Sequence, residues 1–113
     1  MSKLQNDFTT PEQSKRLLEL GIPKNSANLY YNKFGALKAI PEYRNFNEFC
    51  DSTDTPCWSV GRLIEIMKIC SDVDTILGYQ IAYNTKHKTS LLHIVIQVIE
   101  DYINEFNFSK LEE

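Results

Sequence analysis

The chain has 113 residues, of which 42% are hydrophobic and 24% charged, with a formal net charge of −3. That is enough for one hydrophobic core without covalent staples, and too apolar for a disordered segment. The acidic balance gives no general attraction for nucleic acid or anionic lipid, so either partner would need a local basic patch.

The first element is written in "TTPEQSKRLLELGIP". Thr10 suits a helix N-cap, Pro11 is pre-organised for the first helical position, and Gln13 can close a capping box. Gly21 supplies the left-handed residue that ends a helix, and Pro23 bars continuation. These signals predict a helix over 11–20 that buries Leu17, Leu18 and Leu20. In "SANLYYNKFG", Ala27, Leu29 and Tyr31 alternate with Asn28, Tyr30 and Asn32, which favours a short strand over a single helical turn.

Residues 36–56 carry the weakest pattern. Tyr43, Phe46 and Phe49 recur every third residue between Pro41 and Pro56, which suits a short helix over 42–50 or an irregular loop anchored by its rings. The next stretch, "TPCWSVGRLIEIMKIC", reads as a helix start. With Ser59 as N-cap, Trp58 and Leu63 occupy the two positions of a hydrophobic staple. Val60, Leu63, Ile64, Met67 and Cys70 then follow helical spacing, widened by Ile66, while Arg62, Glu65 and Lys68 face outward and Glu65 can pair with Lys68.

"TILGYQIAYNTKH" alternates like a strand, and "NTKHKTS" like a polar turn. Ser90 or Thr89 caps the longest helix, 90–106, on which His93, Gln97, Glu100 and Asn104 form one polar stripe. The rest of its circumference is apolar, so it is either the central core helix or partly an interface for self-association or a protein partner. The order predicts an α+β fold: three helices on a two- to three-stranded antiparallel sheet, with a mostly α bundle carrying one hairpin as the alternative. There is no repeat or linker, so residues 1–113 read as one domain, frayed at 1–7 and 108–113.

No signal-peptide core opens the chain, and its densest apolar run is broken by His93, Gln97, Glu100 and Asp101, which points to the cytoplasm and away from a membrane. Cys50, Cys57 and Cys70 form no CxxC pair, so reduced thiols are expected and no metal or cofactor is implied. The aspartate pairs Asp51/Asp54 and Asp72/Asp74 lack the central glycine and closing glutamate of a calcium loop.

Cys57 before a helix is the candidate nucleophile of a cysteine-dependent hydrolase, with His87 or His93 as base. Its Cys-Trp-Ser run resembles papain-like proteases, but Pro56 stands where that family has small polar residues and no glutamine lies just upstream. Cap and staple account for the same residues. A second candidate is single-stranded nucleic-acid binding by residues 24–46, where Lys33, Lys38 and Arg44 interleave with Tyr30 and Phe34, although those rings can equally anchor the segment to the core.

Taken together, "FTTPEQSKRLLELGIP", "ANLYYN", "PCWSVGRLIEI" and the last apolar helix resemble a set of small proteins of gut Bacteroides associated with prophage-like and mobile regions. The resemblance implies a bacterial or phage cytosolic setting and one small domain, and it carries over no reaction, cofactor or site residue. With no paired acid and base, phosphate loop or metal spacing in the sequence, the expected role is a non-enzymatic protein-interaction module.

Overall fold

A computed structural model describes residues 8–71, Gly78 and residues 90–112. In chain order, the described elements are α1 (Pro11–Leu20), β1 (Leu29–Tyr31), β2 (Leu37–Ala39), α2 (Phe46–Phe49), β3 (Thr55–Cys57), α3 (Val60–Cys70) and α4 (Leu91–Asp101). The strands form one antiparallel sheet in the order β2-β1-β3. The fold is α+β, with helices against a three-stranded sheet. The strand expected over 75–87 lies outside the described residues except for Gly78, which is helical.

α1 begins and ends on the residues its sequence singles out. Thr10 Oγ1 accepts from the Gln13 N–H, and the Gln13 side chain accepts from the Thr10 N–H. Gly21 sits at φ +107°, where a Cβ would be strained, and the following Ile22 N–H folds back to the Leu17 carbonyl at 3.1 Å. Of its three leucines only Leu17 is fully buried, with Ser14 beside it; Leu18 and Leu20 are half-buried.

Two of the three strands fall in the segment with the weakest pattern. β2 follows a tight reversal in which the Asn32 carboxamide oxygen accepts from the N–H groups of Phe34 and Ala36, while Gly35 takes φ +81°. At three residues each, β2 and β3 are too short to show alternation, and Pro56 inside β3 is a residue that ordinarily argues against a strand. The helix expected over 42–50 is a single turn at 46–49. Asn45 caps it and Glu48 closes the box, a local hydrogen-bond signal that the aromatic spacing hides.

The core gathers Leu17, Ile22, Trp58, Leu63, Ile66, Met67 and Cys70 with five residues of α4: Leu92, Ile94, Val95, Val98 and Ile99. α4 is therefore a core helix on its buried face, while Leu91 at its start remains exposed and Ile96 half-buried. Its polar stripe faces water at His93 and Gln97, and Glu100 reaches Arg16 of α1 at 3.1 Å. α4 stops at Asp101, short of the expected 106, because the chain turns to lay Tyr102, Ile103 and Phe106 against the core.

Residues 108–112, expected to fray, instead form a 3-10 segment. Phe108 and Leu111 pack on the core, and the Asn107 N–H ties the turn to the Cys70 carbonyl at 2.9 Å. Around α3, the expected Glu65–Lys68 pair gives way to Arg62 with Glu65, while Arg62 Nε donates to the Ser26 carbonyl at 2.7 Å.

The N-terminal segment is held by Thr9. Its N–H donates to the Trp58 carbonyl at 3.0 Å, and its hydroxyl accepts from the Trp58 N–H at 3.1 Å. Removing that hydroxyl orphans a buried N–H, which costs about 1–3 kcal/mol. Thr9→Val is therefore expected to lose about 2 kcal/mol in urea denaturation while Thr9→Ser retains most of the stability. Equal stability of Thr9→Val and wild type would show that the hydroxyl holds nothing.

Candidate functional site

The Cys57-Trp58-Ser59 corner joins β3 to α3, and each of its side chains is already committed. Trp58 is fully buried, and its indole N–H donates to Ser26 Oγ at 2.9 Å, which in turn donates to the Pro23 carbonyl at 2.6 Å. Ser59 caps α3 by accepting from the Arg62 N–H at 3.1 Å. It is also clasped by Asn28, whose amide nitrogen donates to Ser59 Oγ and whose oxygen accepts from the Ser59 N–H, each at 3.0 Å. Trp58 and Leu63, the two staple positions, are both fully buried in the same core cluster.

Cys57 belongs to β3 and lies two residues before the cap, so its thiol is not seated in the first turn of the helix. It is fully buried. The sulfur donates to the Thr9 carbonyl at 3.2 Å and accepts from Thr9 Oγ1 at 3.4 Å. With Thr9 Oγ1 donating to sulfur, the hydroxyl of Ser14, 2.7 Å away, supplies the hydrogen between the two oxygens. Tyr31 Oη donates to the same Thr9 carbonyl at 2.7 Å. Burial pushes the Cys57 thiol above its ordinary pKa, against the hydrogen bonds from Thr9 and Tyr31 that favour the thiolate. Burial, helped by the neighbouring Cys57, pushes Tyr31 to about 12.

This is a polar joint between the N-terminal segment and the sheet, and its chemistry is opposite to that of a nucleophile. His93 stands on the exposed side of α4, where its N–H completes the Ser90 cap, and His87 lies outside the described residues. Cys50 is half-buried, and its thiol is pushed up to about 11 by burial and by the carboxylates of Asp54 and Asp51. Asp51 itself is held below its ordinary value by hydrogen bonds from Thr53. Among the described residues, no three His, Cys, Asp or Glu side chains converge on a point where a metal ion would sit.

The basic and aromatic segment is divided by the fold. Tyr30 and Lys38 are cross-strand partners and so share one sheet face, but Phe49 packs edge-on against Tyr30 at 5.8 Å. Phe34, at the tip of the hairpin, is 83% exposed with the Lys33 ammonium 5.3 Å from its ring centre. Arg44 is exposed beyond a turn in which its N–H bonds to the Pro41 carbonyl. Asp51 lies close enough to feel Lys33, so an acidic residue from outside 24–46 partly offsets the patch.

Sequence reading missed a concave feature of the surface, a groove of about 750 Å³ over the start of α3. Leu29 and Ala39 of the sheet, Pro41, Glu42 and Arg44 of the turn after β2, and Ser59, Gly61 and Arg62 at the start of α3 are among the residues that line it. A Cβ on Gly61 would meet nothing within 4 Å. No signal in the sequence placed Asn28 beside Ser59, since the two are 31 residues apart. Tyr43, 90% exposed, stands in the turn at the groove's margin. No protein-family model, curated protein or solved structure matches the chain.

Two expectations follow. In native protein at pH 8, iodoacetamide should consume free cysteine while leaving Cys57 unmodified; modification of Cys57 at the free-thiol rate would refute the sealed joint. The thiols also set a pH dependence. Their folded pKa values are raised above the ordinary 9.0, so the stability they contribute is complete below pH 9 and is lost as pH climbs toward 11. The urea midpoint should therefore fall between pH 9 and 11, and less steeply in Cys50→Ala; equal slopes would show that Cys50 does not contribute.

Proposed function

We propose that the protein is a non-enzymatic interaction module that holds a partner protein along β2 and the two turns flanking it. The observation that carries this reading is the pair of rings left in water at the two ends of one strand: Phe34, 83% exposed, before β2, and Tyr43, 90% exposed, after it. Burying a side chain of this size is worth about 1.5–3 kcal/mol, and aromatic residues are the usual anchors of protein interfaces. The groove lies at the Tyr43 end of the strand, between Glu42 and Arg44, and the described residues that line it include no cysteine or histidine. A bacterial cytosol carrying a phage or mobile element, the setting implied by the resemblance, is where such a partner would be sought.

Single-stranded nucleic acid is the competing ligand for the same residues. The offset of Lys33 by Asp51 and the cover of Tyr30 by Phe49 both weigh against it.

The Phe34→Ser/Tyr43→Ser double variant tests the proposal, because neither ring belongs to the core cluster. Stability should stay within about 0.5 kcal/mol of wild type. A partner captured from host extract, purified and measured by calorimetry, should bind the variant at least about tenfold more weakly. Equal binding by both proteins would remove this surface from the reading. Tight oligothymidylate binding that weakens steeply with salt would put nucleic acid in its place.

A further inference from the structure

From the hydrogen-bond parity of the hairpin we infer that the edge of β2 left unpaired among the described residues accepts an extended peptide strand carrying an acidic residue opposite Lys38. This inference rests on the interaction-module reading and names the partner's chemistry. The Asn32 N–H donates to the Ala36 carbonyl at 2.9 Å, and the Ile40 N–H donates to the Asn28 carbonyl at 3.0 Å. In an antiparallel pair such bonds recur at every second residue. Ala36, Lys38 and Ile40 therefore bond inward to the β1 side, and Leu37 and Ala39 turn their N–H and C=O groups to the other side.

Among the described residues no strand pairs with that side, because β2 ends the sheet. Lys38 and Ala39 are exposed. An unpaired edge of this kind is the element that strand addition uses.

The same parity selects the occupant. A strand laid antiparallel on β2 places one residue directly opposite Lys38, on the face that Lys38 shares with Tyr30. A second copy of this chain, paired β2 to β2 about a two-fold axis in the register that aligns the two three-residue strands fully, would put lysine against lysine at the close, non-hydrogen-bonded position, where like charges repel. A carboxylate at that position is attracted instead. Lys33, partly offset by Asp51, and Arg44, both exposed beyond the ends of the strand, add to the positive charge of Lys38, with Glu42 between β2 and Arg44.

The residues on either side of the acid emerge on the opposite face, beside Ala39, whose side chain lines the groove with Leu29. Apolar residues suit those positions. The recognised pattern is thus apolar–acidic–apolar in an extended backbone, with Phe34 and Tyr43 at its ends.

Two acetylated, amidated nonapeptides of alternating valine and threonine serve as probes, one with a central aspartate and one with a central lysine. At low ionic strength the aspartate peptide should bind roughly fivefold to tenfold tighter than the lysine peptide, and Lys38→Glu should reverse that order. Binding should shift the amide resonances of Leu37 and Ala39 and slow their exchange.

Ala39→Pro deletes an outward N–H without touching the bonds to β1, a placement that edge strands tolerate, and should weaken the aspartate peptide about tenfold with the melting temperature retained. If Ala39→Pro unfolds the protein, the reversal in Lys38→Glu decides alone. Binding that perturbs Asn28, Gly61 and Arg62 and ignores Lys38→Glu would overturn strand addition and leave an interaction module that uses its groove. No binding of either peptide at millimolar concentration would overturn the inference, and salt-sensitive binding of oligothymidylate in the same assay would overturn the interaction-module reading with it.

Discussion

The structure depends on one buried indole with a satisfied N–H. Trp58 is the largest side chain in the core, and leaving its N–H without an acceptor would carry a desolvation cost of about 1–3 kcal/mol. Ser26 meets that need, and in doing so fixes the segment between α1 and β1 against the start of α3. The residues on either side extend the same joint. Cys57 and the Trp58 backbone hold Thr9, while Ser59 holds Asn28. Two stretches of chain distant in sequence, around Thr9 and across Ser26–Asn28, thus meet at one tripeptide.

The parts of the fold that were legible in the sequence are those whose signals are local. The helix starts at Thr10, Ser59 and Ser90 and the stop at Gly21 are hydrogen-bond devices completed within a few residues, and they stand where the sequence puts them. β2 and β3 were not legible. Three-residue strands carry too few positions to display a period, and what holds them is pairing with β1. The C-terminal turn was hidden for a related reason. Phe106, Phe108 and Leu111 are spaced for no regular element, and what they cover, the end of α3 and the Gly21 stop of α1, is distant in sequence.

For the candidate nucleophile Cys57, the coordinate that the sequence does not hold is depth. A cysteine just before a helix can open to water or close against a strand, and the closing element here is Phe8–Thr9, almost fifty residues upstream. For the basic segment, the missing coordinate is what the fold brings beside it. Counted along the chain, the charged residues of 24–46 are all positive except Glu42, but the fold returns Asp51 to Lys33 and Phe49 to Tyr30. The exposed edge of β2, by contrast, follows from strand order and bond parity, which emerge only once the register is known.

The chain contains one tryptophan. Because that indole is sealed from solvent and bonded to a hydroxyl, the intrinsic fluorescence of the folded protein arises from a single dry environment and lies toward the blue. Loss of the joint wets the fluorophore and sends its emission red, whereas a ligand resting on β2 leaves it dark to the event. The molecule thus carries an internal optical gauge of its own integrity that is blind to occupancy of its surface.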